Sequence, residues 1–219
     1  VSKVLRIALG ISRDIFYAIS IISIIVLSVL NTTSIYGYAI QRYKLNEYTG
    51  LSTEILMDNY KRVIYYVQNP FIKELKFNSI PMSEFGRIHF FEVKRIFIAL
   101  YVFSIIFIGV IIFKVLANKS NDLKKRLIAN FNSGVNMMAV IFIFVGAISA
   151  KDFSKAFIYF HKIFFRNNYW IFDPRTDPII NALPEEFFML ELMSIIILLV
   201  VVTVVIKLLY IRNKLGSKS

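Results

Sequence analysis

The chain has 219 residues, 57% of them hydrophobic and only 18% charged, with a mean hydropathy of +0.64. Ordinary soluble domains are about 45–50% apolar and about 25% charged, so a soluble class is excluded, and the net charge of +12 needs a membrane explanation before a nucleic-acid one. The absence of cysteine removes disulfides, thiolate metal sites and a cysteine nucleophile. A bias toward Ile, Phe, Lys and Asn points to an AT-rich bacterial genome.

A helix needs about 20 mainly apolar residues to cross a hydrocarbon core about 30 Å thick. Four runs supply them: Ile15–Ile35, Ile96–Leu116, Val135–Ala150 and Met189–Leu209. The first is longer than the h-region of a cleavable signal and lacks a small-x-small site after it, so it is expected to stay as a span. The segment 36–95 that follows opens polar and Tyr-rich. From Thr53 to Val67, Leu56, Tyr60, Val63, Ile64 and Val67 recur at helical spacing, with Ser52 or Thr53 as N-cap and Pro70 beyond the end. That helix either lies on the membrane or packs against the other connecting segment. After Pro81, Ser83 can cap a helix that carries Glu84, His89 and Glu92 into the second span.

The third run is less tidy. Apolar character resumes after Asp152 and Lys155 in Phe153–Phe165, so either the span continues or the chain breaks and lies along the surface. In the segment 151–188, Phe153, Phe157, Phe160, Phe164 and Phe165 stripe a helix with His161 beside them, and Trp170 suits an interface. Asp173-Pro174 and Asp177-Pro178 are turn signals. Pro184 followed by Glu185 and Glu186 is a helix start, with carboxylates at the positive end of the dipole.

Cytoplasmic segments carry the excess of Lys and Arg. The N-terminal stretch (Lys3, Arg6, Arg13), the short connection between spans two and three (Lys114, Lys119, Lys124, Lys125, Arg126) and the C-terminal stretch (Lys207, Arg212, Lys214, Lys218) hold twelve basic residues against two acids, Asp14 and Asp122. The segments 36–95 and 151–188 hold fourteen basic residues against eleven acids. Both termini are therefore expected in the cytoplasm, although Lys94 and Arg95 at the outer edge of the second span run against the rule. The basic charge orients the chain and meets anionic lipid; no nucleic-acid partner is indicated. The expected fold is all-α and polytopic: a single integral membrane domain, with four transmembrane helices and an extracytoplasmic cap of short helices and loops.

Only two histidines occur, His89 and His161, and both are predicted on the outer side near helix ends, with Glu92 one turn from the first and Asp173 and Asp177 after the second. Histidine titrates near neutrality and serves as acid or base; it also packs and hydrogen-bonds at interfaces. No His-Glu-x-x-His, Gly-x-Ser-x-Gly or glycine-rich phosphate loop is present. No metal or cofactor is assigned.

Two blocks carry a resemblance. The first is Ser83-Glu84-Phe85-Gly86-Arg87-Ile88-His89-Phe90-Phe91-Glu92-Val93-Lys94-Arg95. The second runs from Phe160-His161 through Asn167-Asn168-Tyr169-Trp170 and Asp173-Pro174-Arg175-Thr176-Asp177-Pro178 to Leu183-Pro184-Glu185-Glu186. Together with the four-span layout they resemble the bacterial lipoprotein intramolecular transacylase family across essentially the whole chain. Glu92 stands where the family pattern has Asp, keeping the charge and moving the carboxylate by a methylene.

The resemblance implies a plasma-membrane enzyme acting on a diacylated lipoprotein whose N-terminal cysteine carries a thioether-linked diacylglycerol and a free α-amine. It moves the sn-2 acyl chain to that amine, giving the lyso-form, with no covalent acyl-enzyme required. His89 and His161 are the expected catalytic pair. His161 is taken as principal base and acid and His89 as the orienting or oxyanion group, with the reverse assignment left open. Glu92, Lys94, Asn167, Trp170 and Asp177 are the expected substrate-binding or supporting residues, Glu92 and Asp177 by fixing a histidine tautomer. Two other readings are carried forward. One is a membrane heme protein with His89 and His161 as axial ligands, weakened by their position at or beyond the ends of spans. The other is a non-enzymatic lipid- or lipoprotein-binding module.

Overall fold

The computed structural model describes residues 2–118 and 120–215; Lys119 and Lys218 of the charge count lie outside them. The chain is all-α, with no strand among the described residues. The helices are α1 (Lys3–Leu30), α2 (Ser34–Arg42), α3 (Leu45–Thr49), α4 (Thr53–Gln68), α5 (Glu84–Ala117), α6 (Asn121–Lys151), α7 (Phe153–Phe164), α8 (Ile179–Ala182) and α9 (Glu185–Leu215). Four of them, α1, α5, α6 and α9, are long and apolar enough to cross a membrane.

The chain divides into two compact units. The first holds residues 1–26, 102–147 and 195–219. Its core is small: Ala18, Ile21 and Ile25 of α1 against Val135 and Met138 of α6 and Leu199 of α9. Tyr17 sits edge-on to Phe107 and Phe131, at 5.2 and 5.0 Å between ring centroids. Gly134 lets α6 approach α1 there, because a Cβ at that position would fall 2.7 Å from Tyr17 Cβ. Much of the rest of these helices presents Ile, Leu, Val and Phe outward, as expected where lipid rather than water is the solvent.

The second unit holds residues 27–101 and 148–194 and contains the larger core. Tyr36 stacks on Tyr60 at 4.3 Å, and both meet Phe187 edge-on. The Tyr36 hydroxyl donates to Ala182 O at 2.8 Å, and burial holds its pKa well above the ordinary tyrosine value. α4 starts at Ser52, whose hydroxyl accepts from Ile55 N at 3.3 Å, and it buries Leu56, Tyr60, Val63, Ile64 and Val67. Of the two placements left open for α4, its apolar face takes the packed one, inside a core shared with Ile179, Leu183 and Phe187. Asn59 is buried beside that face and clamps the following loop, accepting from Asn78 N at 2.7 Å and donating to Asn78 O at 3.0 Å. Asn31, Gln68 and Tyr101 close a ring of hydrogen bonds at 2.8 to 3.0 Å. Helices α2 and α3 form in the stretch that reads as merely polar and Tyr-rich.

The ambiguity after the third span is resolved by a break. α6 ends at Lys151, and Asp152 adopts an extended conformation, its carboxylate accepting from Lys155 N at 3.0 Å to cap α7.

Candidate active site

The site is built inside the second unit from the first turns of α5, from α7 and from the loop 165–178. Ser83 caps α5, its hydroxyl accepting from Gly86 N at 3.0 Å. Ser83 N donates in turn to Asp177 Oδ1 at 2.7 Å, and the Thr176 hydroxyl donates to Asp177 Oδ2 at 2.9 Å. Gly86 is required for this approach: a Cβ there would lie 2.3 Å from Asp177 Oδ1. Asp177, 3% exposed, therefore pins the start of the helix that carries His89. It was expected to hold a histidine tautomer; both oxygens are instead committed to Ser83 and Thr176.

His89 and His161 are 7% and 8% exposed, and their rings stand 5.9 Å apart at 36°. Phe165 and Phe172 meet His89 edge-on at 4.8 and 5.4 Å. His89 Nδ1 is enclosed without a partner. His161 is packed between Phe157 at 4.2 Å and Trp170, which is stacked on it at 4.7 Å and 28°. Its Nδ1 lies 2.7 Å from Phe157 O. A carbonyl can only accept, so Nδ1 carries the proton and Nε2 keeps the lone pair. Burial pushes the His161 pKa below its ordinary value, opposed by that hydrogen bond and by the charge of Glu185. Neutral His161 with a free Nε2 is the form a general base requires.

The supporting residues divide. Glu92 Oε1 accepts from Asn167 Nδ2 at 2.8 Å. Asn167 O accepts from Trp170 Nε1 at 3.0 Å, and Asn167 Oδ1 accepts from Tyr169 N at 3.0 Å. Glu92, Asn167 and Trp170 thus form one chain leading to the face of His161. No histidine is among the hydrogen-bond partners of Glu92, so the expected tautomer-fixing role falls to the Phe157 carbonyl. Lys94 is buried, donates to Ile72 O and lies 4.4 Å over the Tyr66 ring. Its ammonium pins the loop before α5. Phe157 is the functional contributor that residue-type reasoning passes over. It belongs to the recognised phenylalanine stripe and stands four residues before His161, so helical spacing points to it, but what it supplies is a backbone atom. Among the described residues no group of three or more His, Asp or Glu side chains is arranged to hold a metal.

The family described as lipoprotein intramolecular transacylase Lit matches residues 12–188. A solved structure of the membrane integral lipoprotein intramolecular transacylase Lit from Bacillus cereus is 26% identical and superimposes with a TM-score of 0.82, covering 99% of this chain and 99% of that one. Structures of the Bacillus cereus protein with a histidine mutated to arginine or to alanine match with TM-scores of 0.75 at 27% identity, over 95% of this chain and 92% and 93% of theirs. No curated protein sequence matches the chain.

Proposed function

The chain belongs to the Lit family of lipoprotein intramolecular transacylases, so its activity is acyl transfer within a lipoprotein, and we propose how the two histidines carry it out. The substrate is a lipoprotein with a diacylglyceryl-modified N-terminal cysteine, and the sn-2 acyl chain passes to the cysteine α-amine. A free α-amino group has a pKa of about 7.7–8.0, so near neutrality it must lose a proton before it attacks. His161 Nε2 takes that proton. The amine nitrogen bonds to the ester carbon, and the carbonyl oxygen becomes an oxyanion. The imidazolium then gives its proton to the departing glycerol oxygen as the ester C–O bond breaks, and His161, neutral again, takes the second proton from the nitrogen, which becomes a neutral amide, and passes it to solvent. From the ammonium form two N–H bonds are lost, one O–H is gained, one proton is released, and no water is consumed.

His89 lies across from His161 on α5, where its ring can orient the ester or donate to the oxyanion. Donor and acceptor belong to one molecule, so holding it folded supplies effective molarity. The enclosing phenylalanines and Trp170 exclude water that would hydrolyse the ester.

The observation that carries this reading is the Nδ1 contact of His161 to Phe157 O, which leaves Nε2 as a base in a site shared with the second histidine. The basic residues flanking the spans support placing both termini in the cytoplasm. The site would then lie on the extracytoplasmic face, where lipid tails enter from the bilayer while the peptide stays in water. To test the mechanism, His161→Gln and His89→Gln are compared with the parent protein in membranes, and the N-terminal lipopeptide is followed by mass spectrometry. Loss of the lyso-form product is expected in the first and a strong reduction in the second; full conversion by both would sink the assignment. A Soret band in purified protein would instead favour the heme reading.

A further inference from the structure

Glu92 follows His89 by three positions on α5, which puts both on one face of the helix with Cβ atoms about 5–6 Å apart. Its Oε1 accepts from Asn167, whereas Oε2 is enclosed and has no partner in the protein. The contrast with Asp177, both of whose oxygens are taken, is informative. A buried carboxylate oxygen left unpaired is costly, and the partner that compensates it best is a cationic N–H donor. Lys94, two residues on, is not that donor, because its ammonium is committed to Ile72 O and the Tyr66 face.

The reaction brings a cation of its own. We propose that Glu92 Oε2 receives an N–H of the α-ammonium group of the diacylglyceryl cysteine, making Glu92 the residue that selects lipoproteins with a free N-terminal amine. This rests on the acyl-transfer reading above. The ammonium docks on Glu92 with a second N–H directed to His161. When His161 removes that proton, the remaining N–H groups hold the nitrogen against the ester. Once acylated, the nitrogen is a neutral amide and the ionic hydrogen bond is gone, so the product is held less tightly than the substrate. The Asn167 and Trp170 links from the other carboxylate oxygen set the distance between this anchor and the base.

The test uses binding without turnover. Lipopeptides bearing ether-linked chains, which cannot transfer an acyl group, are prepared with the α-amine and with that amine replaced by hydrogen. Their affinities are measured on purified protein in detergent. The parent protein is expected to prefer the amine form by about tenfold to a hundredfold, the range of a charge-assisted hydrogen bond. In Glu92→Gln, which keeps an acceptor for Asn167, the preference falls to near one while affinity for the des-amino form is unchanged. Glu92→Asp retains part of it. Equal affinity for both forms in the parent, an undiminished preference in Glu92→Gln, or a parallel loss for both ligands would overturn the proposal. Because no acyl transfer occurs in this assay, an active His161→Gln variant would sink the mechanism and leave the amine preference separately readable.

Discussion

Ile105, Ile143 and Leu208 of the first unit face outward at 67%, 69% and 62% exposure, and its buried interior is small: a few aliphatic residues of α1, α6 and α9 with Tyr17 and Phe107. In the second unit the core is larger and is stitched by hydrogen bonds over long sequence distances: Tyr36 to Ala182, Asn59 to Asn78, Ser83 to Asp177 and Asn167 to Glu92. The difference follows from the solvent each kind of surface meets. In lipid there is little hydrophobic drive between apolar helices, so van der Waals packing and small residues at close crossings, such as Gly134, do the associating. Where the chain leaves the hydrocarbon, loops must satisfy backbone groups and polar side chains must find partners. That requirement gives the directional geometry a reaction needs, and the catalytic candidates His89 and His161 lie in the second unit.

The contrast breaks most sharply at His161. His161→Gln is expected to lower lyso-form production by about 100- to 10,000-fold, the range for loss of a positioned general base, while the thermal midpoint moves little. Next comes pH. With its pKa held below the ordinary histidine value by burial, folded His161 stays neutral at pH 7 and becomes protonated only at lower pH than free histidine. Activity should therefore plateau near neutrality and fall about tenfold per unit below the depressed pKa. The stability term has a defined sign. As pH drops through about 6.5, the unfolded chain takes up the proton first and stability declines until folded His161 is protonated too. A pH–rate profile whose acid limb sits above 6.5 would contradict the assignment.

Gly86→Ala probes the scaffold instead of the chemistry. The new Cβ would meet Asp177 Oδ1 at 2.3 Å, so the carboxylate must leave Ser83 N. The expected cost is about 1–3 kcal/mol from the broken buried hydrogen bonds, read as a lower melting temperature together with reduced turnover. At the small end, Ile197→Ala on the outward surface of α9, 58% exposed, should change stability by no more than about 0.5 kcal/mol, as surface substitutions do, and leave turnover intact. A large effect there would mean that this face is packed against a partner instead of lipid.

Four helices long and apolar enough to span, and the all-α class, are legible in the linear chain because the bilayer imposes a local rule: every backbone group must be satisfied within its own helix, and about 20 apolar residues in a row suffice; the first expected span, Ile15–Ile35, nevertheless overruns α1, which ends at Leu30. The break at Asp152 is half legible, since an N-cap signal inside an apolar stretch competes with continuation of the span, and the observed cap settles it. Helices α2 and α3 escape a periodicity reading because they are short; Tyr36 stacked on Tyr60 and bonded to Ala182 holds α2 in place. The supporting residues were legible only as types. Asp177 turned out to be a helix anchor, Lys94 a loop pin and Glu92 half-paired, and the tautomer of His161 is set by a backbone carbonyl. Residue chemistry and spacing by themselves determined that the chain is all-α with four helices able to cross a membrane, and which side chain types can move a proton. Which oxygen each donor reaches was decided by the tertiary structure alone, because Ser83 and Asp177 stand 94 positions apart and Glu92 and Asn167 stand 75 apart, and no local pattern couples residues across such distances.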